Sequence, residues 1–227
     1  MTPDLIEYAD RKTQADQLAK AVASSLSSLV EAKGKATLAV AGGSTPAAFL
    51  ACLGQQKIDW HSVTVLPTDE RWGPPDHERS NEGMIIRTLL AHGAAPRLFS
   101  FWREGVTAAE AAPGLSADLA PHLPLDVCVL GMGADMHCAS LFPGGDGMEV
   151  AMAPNAPAVT AMKAPGAPEP RVTLSADALG AGELHLLISG EDKRAALDQA
   201  LASGDAFAAP VSAVLRRNGS AAIHWAP

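Results

Sequence analysis

Apolar residues recur along the chain in two alternating patterns, one with helical spacing and one of short continuous runs. Residues 10–33 carry an apolar residue every three or four positions, and Gly34 follows as a natural helix stop. The run ATLAVAGG at 36–43 is short, apolar and ends in glycines, as expected of a buried strand. The next segment, STPAAFLACL at 44–53, predicts a helix with Ser44 as its N-cap.

The same alternation continues to the end of the chain. Further apolar runs predict strands at VTVL (63–66), PLDVCVL (124–130), VTAMK (159–163), ELHLLIS (183–189) and SAAIHW (220–225). Helical patterns cover EGMIIRTLLAH (82–92) and GEDKRAALDQALASG (190–204). A polar loop is expected over PTDERWGPPDHERSN (67–81), and the Ala/Pro-rich segment 153–170 is expected to run over the surface around VTAMK.

Strands of this kind alternating with helices predict an α/β fold with a mostly parallel sheet. No internal repeat or clear linker interrupts the alternation, which predicts a single domain over residues 1–227. In such sheets, ligands bind beyond the carboxyl ends of the strands. Polar and glycine-rich residues at those ends are therefore the candidates for function.

The composition narrows the classes of function. With 227 residues, 48% of them hydrophobic, the chain can bury a substantial core. Its net charge of −8 predicts a soluble protein whose overall field does not favour nucleic acid or anionic membranes. Its three cysteines show no spacing typical of a disulfide framework or a zinc site. The N-terminal stretch MTPDLIEYADRK lacks the apolar core of a signal peptide, which predicts a cytoplasmic location.

The first strand end is the glycine-rich turn LAVAGGSTP. Gly42 and Gly43 would allow backbone N–H groups to approach a ligand closely, and Ser44 and Thr45 open the next helix. The amino end of a helix favours an anion such as phosphate. An ordinary strand-to-helix turn capped by serine explains the same residues. The turn is not a nucleotide P-loop, because the Gly-Lys-Ser/Thr that would follow is missing.

The second strand end is PTDERW, where Asp69, Glu70 and Arg71 follow the VTVL run. Arg71 could hold a carboxylate or stabilise a developing oxyanion. It could equally pair with its acidic neighbours and have no further role.

The third strand end is GMGADMHCASLFPG at 131–144, which places Asp135 and His137 among glycines. One interpretation makes Asp135 the N-cap of a helix through CASLF and His137 a polar residue of its first turn. The other makes His137 a general base oriented by Asp135. The positive end of that expected helix would disfavour the imidazolium, and a neutral imidazole is what a base needs.

Two further cations stand near predicted strand and helix ends. Lys193 lies with Arg194 in the first turn of the helix after HLLISG, where the helix dipole disfavours cations. Glu191 and Asp192 could offset that cost, or Lys193 could reach a phosphate. Arg171, in EPRVTLS, could serve the same ligand or be a surface charge.

These motifs together resemble the 6-phosphogluconolactonase family, which is similar to the glucosamine-6-phosphate deaminases. The matching segments are AGGSTP, TDERWGPPDHERSN, LGMGADMHCASLFPG, PRVTLSADAL and GEDKRAAL, in order between residues 41 and 197. The resemblance implies a Rossmann-like three-layer α/β sandwich. It also implies hydrolysis of 6-phospho-D-glucono-1,5-lactone, the second step of the oxidative pentose phosphate pathway, with no metal or organic cofactor.

By position, the resemblance makes His137 the general base, Asp135 its partner acid and Arg71 the arginine of the Asp-Glu-Arg motif. It assigns the phosphate-side loop to Gly42–Thr45, and phosphate contacts to Arg171 and Lys193. One residue departs from the family pattern. Met136 stands where the family usually has glycine, and a positive φ there would strain it.

Two other functions remain open from the sequence. A related deaminase/isomerase would need, with its Asp-x-His motif, a Glu five residues after the histidine, and this chain has Phe142 there. A non-catalytic sugar-phosphate-binding protein is the other alternative, since Met136 departs from the pattern of the enzymes. Neither a zincin-type histidine pair nor a Gly-x-Ser-x-Gly motif is present. Of these functions, a lactone hydrolase that activates water with His137 fits the motifs best.

Overall fold

The computed structural model describes residues 3–167, 169–218 and 221–227. Pro168 of the Ala/Pro-rich segment and Ser220 of the last predicted strand lie outside them. The strands are β1 (Asp4–Glu7), β2 (Ala36–Val40), β3 (Val63–Pro67), β4 (Asp69–Arg71), β5 (Arg97–Leu98), β6 (Leu125–Leu130), β7 (Val159–Lys163), β8 (Pro170–Leu174), β9 (Ala181–Ser189) and β10 (Ala221–Ala226). The helices are α1 (Arg11–Lys33), α2 (Ser44–Leu53), α3 (Asn81–Thr88), α4 (Ala108–Leu119), α5 (Met148–Met152), α6 (Glu191–Ala202) and α7 (Pro210–Arg217).

The central sheet has seven strands in the order β1-β10-β9-β6-β2-β3-β5, and every neighbouring pair is parallel. The predicted parallel sheet is therefore confirmed. A second sheet, β4-β8-β7, is small and antiparallel, and the sequence patterns did not predict it. Within the described ranges, no helix is long and apolar enough to cross a membrane.

Helices cover both faces of the central sheet, as strand β6 shows. Val127 and Val129 belong to the core that α1, α2 and α3 cover, whereas Cys128 and Leu130 belong to the core under α4, α6 and α7. Alternate residues of one strand thus enter opposite cores, which explains why the strands are continuous apolar runs in the sequence. The Rossmann-like three-layer sandwich is confirmed.

The structure confirms the predicted end of helix α1 at Gly34 but not the predicted N-cap of helix α2. Helix α1 begins after Asp10, whose side chain accepts from the Thr13 amide at 2.7 Å, and ends at Gly34 with φ 73°. Helix α2 begins one residue earlier than predicted: Gly43 is its N-cap, and Ser44 is its first helical residue with no capping bond. Ser44 is therefore not the N-cap.

The expected polar loop 67–81 contains strand β4, because Asp69–Arg71 pairs with β8 about a hundred residues later. The predicted helix over 82–92 is shorter than expected. Helix α3 ends at Thr88, and a separate 3₁₀ turn covers Leu90–His92.

The strand order places a crevice between β2 and β6. The chain proceeds from β2 toward β3 and β5 on one side, and from β6 toward β9 and β10 on the other. The turns that leave the two strands therefore separate, and such a switch point is where parallel sheets bind ligands.

A half-buried and a buried histidine, His185 and His224, lie side by side in the other half of the sheet. His185 Nδ1 on β9 is 3.0 Å from His224 Nε2 on β10, and the Tyr8 hydroxyl is 2.7 Å from His224 Nδ1. Burial, together with the neighbouring His185, lowers the pKa of His224 from 6.5 to about 3.

Candidate active site

A cavity of about 320 Å³ opens at the switch point between β2 and β6. Its wall is formed by the strand ends and turns 41–46, 69–71, 131–139 and 187–189, together with Asn81, Arg171 and Lys193. Its lining residues include Gly42, Gly43, Ser44, Thr45, Asp69, Arg71, Asn81, Gly133, His137, Arg171, Ser189 and Lys193. Every site residue predicted from the sequence is present except Asp135, which lies behind His137.

The glycine turn after β2 forms one wall of the cavity. A Cβ on Gly42 would lie 1.9 Å from Asn81 Oδ1, so only glycine lets Asn81 take its place. Gly43 has φ 113°, a conformation that other residues rarely adopt. The turn thus brings the amino end of α2, with Ser44 and Thr45, to the cavity, where the helix favours an anion.

The small antiparallel sheet brings two arginines together. Arg71 on β4 pairs in register with Arg171 on β8, and both side chains line the cavity. Arg71 Nη1 donates to the Arg79 carbonyl at 2.7 Å and to Asn81 Oδ1 at 2.8 Å. The Nε atoms of both arginines are buried without a hydrogen-bond partner in the described part of the chain. Buried donors without acceptors are costly, while the cavity-lining parts of the two guanidinium groups remain suited to an oxyanion.

Arg171 is the more buried of the two, with 7% of its surface exposed. Burial lowers its pKa, the charge of Asp69 opposes that change, and the charge of Arg71 adds to it. Asp69 Oδ2 lies 3.7 Å from Arg171 Nη1 and accepts from the Ser140 hydroxyl at 2.5 Å. Asp69 therefore connects Arg171 to the loop that carries His137.

Glu70, between Asp69 and Arg71, has a structural role. Its carboxylate accepts from the Ser80 hydroxyl and from the backbone amides of Asn81, Glu82 and Arg71. It therefore caps the amino end of α3 and fixes the backbone of Asn81. Burial raises the pKa of Glu70, and the four hydrogen bonds oppose that change.

His137 and Asp135 form a hydrogen-bonded pair on the loop after β6. The His137 Nδ1 to Asp135 Oδ1 distance is 2.5 Å. Burial raises the pKa of Asp135, but the hydrogen bond and charge of His137 outweigh it, so the net shift is downward. Asp135 thus stays ionised near neutral pH and can only accept, which places the proton on Nδ1 and leaves the lone pair on Nε2.

The helix expected through CASLF does not form. Residues 134–141 are turns and isolated bridges, and the next helix, α5, begins only at Met148. Asp135 is therefore not a helix cap, and the argument that a helix dipole keeps His137 neutral is wrong. The hydrogen bond to Asp135 orients the ring instead.

Met136 adopts the left-handed conformation that the glycine of the family pattern suggested, with φ 65°. Its carbonyl accepts from the Val211 amide of α7 at 3.2 Å, and its side chain packs partly against the core. These contacts hold the strained backbone in place.

The two cations of α6 have separate roles. Lys193 lines the cavity, and its ammonium has no carboxylate partner among the described residues. Arg194 Nη1 instead donates a hydrogen bond to Glu7 Oε1 at 2.6 Å, and the Arg194 guanidinium lies over the Trp225 ring. Only Lys193 is available to a ligand.

The sequence reasoning missed four residues of the site: Asp69 as a partner of Arg171, Asn81, Gly133 and Ser140. Of these, only Gly133 carried a sequence signal, because glycines in GMG beside a titratable pair suggest a close approach. Among the described residues, no group of three or more His, Cys, Asp or Glu side chains could hold a metal ion.

Comparisons with known proteins show the family to which the chain belongs. The family model for glucosamine-6-phosphate isomerases/6-phosphogluconolactonase matches residues 9–225. The chain is 43% identical to a 6-phosphogluconolactonase of Rhizobium meliloti (strain 1021), covering 100% of both chains. It is 42% identical to one of Pseudomonas aeruginosa, covering 94% of this chain and 91% of the other. The crystal structure of a 6-phosphogluconolactonase from Shewanella baltica is similar, with a TM-score of 0.94, 33% identity, and coverage of 100% and 98%.

Proposed function

Because the chain belongs to the glucosamine-6-phosphate isomerase/6-phosphogluconolactonase family, we propose that it hydrolyses 6-phospho-D-glucono-1,5-lactone to 6-phospho-D-gluconate. This reaction is the second step of the oxidative pentose phosphate pathway. One observation supports the proposal above others: an imidazole oriented by Asp135 faces a cavity that Arg71, Arg171 and Lys193 also line. A base and an anion site thus share one small space.

Hydrolysis of a lactone needs an activated water, a stabilised oxyanion and a proton for the ring oxygen. His137 Nε2 removes a proton from water, and the resulting hydroxide attacks the lactone carbonyl carbon, C1. Asp135 holds the ring and stabilises the imidazolium that forms. When the tetrahedral intermediate collapses, the bond from C1 to the ring oxygen breaks, and the imidazolium returns its proton to that oxygen.

The cations that line the cavity stabilise two negative groups of the substrate, the oxyanion that forms on C1 and the phosphate. Arg71, with loop N–H groups, stabilises the oxyanion on C1. Arg171, Lys193 and the turn Gly42–Thr45 hold the phosphate, where the amino end of α2 adds its dipole.

The proposal includes a single domain over residues 1–227 and a cytoplasmic location, with no nucleic acid or membrane partner. A deaminase is disfavoured because Phe142, which contacts the His137 ring, stands where that chemistry would need a Glu. A non-catalytic sugar-phosphate binder differs from the proposal only in turnover.

The test is a hydrolysis assay with freshly generated lactone, corrected for spontaneous hydrolysis and followed by the proton released with each carboxylate. We expect turnover by the unmodified protein and a kcat about 10²–10⁴-fold lower in His137→Asn, with an unchanged melting temperature. Asp135→Asn should also slow turnover, because the imidazole loses its orientation. Hydrolysis no faster than the spontaneous rate would refute the proposal, and ammonia release from glucosamine 6-phosphate would favour the deaminase.

A further inference from the structure

Phe142 does not line the cavity of the candidate active site, but its ring contacts His137 and Arg171, which do. Its ring centroid is 4.2 Å from that of His137, with an angle of 31° between the ring planes. The Arg171 Cζ atom lies 5.2 Å from the same Phe142 centroid. One half-buried aromatic ring thus supports both the base and the phosphate-side arginine.

The imidazole needs such a support. The hydrogen bond from Nδ1 to Asp135 fixes one point of the ring but not its plane. The side chain of His137 is only 28% exposed, so most of its surface lies against other protein atoms. Stacking against Phe142 restricts rotation about that bond, and a base must keep its lone pair directed at the attacking water.

Arg171 needs a support for a different reason. Its Nη1 lies 3.4 Å from the Ser140 hydroxyl and 3.7 Å from Asp69, and its Nε has no partner within the described residues. None of these contacts is the short two-point pairing that fixes a guanidinium strongly. The face of Phe142 supplies a further attraction that leaves the N–H groups of Arg171 available to the ligand.

We propose that Phe142 is a positioning residue that holds His137 and Arg171 in a fixed relation, so that phosphate binding and water activation share one geometry. The proposal rests on the function proposed above. It predicts that one substitution at Phe142 changes both kcat and KM, although the side chain does not line the cavity.

The experiment compares three variants with the unmodified protein: Phe142→Leu, Phe142→Tyr and Phe99→Leu. Phe99 is a matched control, because it is also half-buried and packs against a histidine, His122, away from the cavity. We expect Phe142→Leu to lower kcat by about tenfold or more through misplacement of the base. Its KM should rise about two- to fivefold through loss of the cation–π contact. Phe142→Tyr keeps an aromatic ring and should restore most of both constants, and Phe99→Leu should change neither.

A kcat and KM within twofold of normal in folded Phe142→Leu would overturn the proposal. Equal losses in Phe142→Leu and Phe142→Tyr would also overturn it, since the ring itself would then not matter. A second measurement covers the case in which Phe142→Leu does not fold. The ring protons of His137, assigned in NMR spectra by comparison with His137→Asn, should show an upfield ring-current shift in the unmodified protein, and its absence would refute the stacking.

These outcomes also separate this inference from the proposed function. A protein with the ring-current shift but no lactonase activity would refute the function and leave the stacking in place. An active protein in which Phe142→Leu is normal would refute only the role of Phe142.

Discussion

Replacing Gly133 by alanine should displace the pair Asp135–His137, to which the proposed mechanism assigns catalysis, while leaving the fold intact. The φ of Gly133 lies outside the left-handed region, so alanine can adopt the backbone conformation. Its new Cβ would lie 2.1 Å from His137 Nδ1 and 2.3 Å from Asp135 Oδ1. The atoms that most closely obstruct the methyl group are thus those of His137 and Asp135.

The size of the effect follows from the distances. Ordinary contact begins near 3.4 Å, so the imidazole must retreat by about 1.3 Å, the difference between 3.4 and 2.1 Å. A misplacement of roughly 1 Å costs about 10²-fold in rate, and general-base help is worth about 10²–10⁴-fold in total. We therefore expect kcat to fall about 10²- to 10³-fold, with a smaller change in KM.

The assay is steady-state lactone hydrolysis with a thermal melt of each variant. Gly114→Ala is the control, because Gly114 lies inside α4 and a methyl group added there would meet no atom of the described residues within 4 Å. Alanine at that position should raise stability by about 0.5–1 kcal/mol. Gly133→Ala should add little further loss in a His137→Asn background. A Gly133→Ala protein with near-normal kcat would refute the catalytic role assigned to the pair.

Three other predictions test separate parts of the structure. Arg171→Ala and Lys193→Ala should each raise KM about ten- to a hundredfold, the loss of a charge-assisted contact of about 1.5–3 kcal/mol; an unchanged KM in both would remove them from the phosphate site. Met136→Gly should raise the free energy of unfolding by up to about 1 kcal/mol by relieving a positive φ, whereas a clear fall would mean that its packing matters more. The pKa of His224 is 6.5 in the unfolded state and about 3 in the folded state. As the pH decreases, His224 is therefore protonated in the unfolded state first. The free energy of unfolding should therefore decrease as the pH drops below 6.5, by about 2 kcal/mol at pH 5. Denaturant titrations should show that dependence weakened in His224→Phe, and an equally steep dependence there would contradict the assignment.

The sequence predicted those parts of the fold that local patterns determine. Strands β2 and β6 are apolar runs because both faces are buried, and α1 has both a capping aspartate and a terminal glycine. Strand β4 was missed because its residues are polar. Its strand conformation depends on pairing with β8, which no local pattern reveals.

The residues of the candidate site also fall into two groups: those that local sequence patterns reveal, and those that only the folded chain brings together. Residues in recognisable turns, such as Gly42 and His137, could be found from the sequence. The contacts of Asp69 with Ser140 and Arg171 join residues about 70 and 100 positions apart, so only the folded chain brings them together. The helix expected after Asp135 failed for a related reason: tertiary contacts such as the Ser140 bonds hold this segment in turns despite its local capping signal.

The position of β1 at the edge of the sheet has a consequence for synthesis on the ribosome. Its only partner strand within the described residues is β10, so Asp4–Glu7 pairs with residues made more than 200 positions later. At about 5–20 residues per second, β1 waits roughly ten to forty seconds for its partner. Strands β2, β3 and β6 can pair during that interval, whereas the edge that carries Leu5 and Ile6 must stay unpaired until β10 emerges. Pairing of β1 with β10 is therefore a late step of assembly, and a ribosome that stalls before residue 221 leaves the edge with Leu5 and Ile6 unpaired and open to other nascent chains.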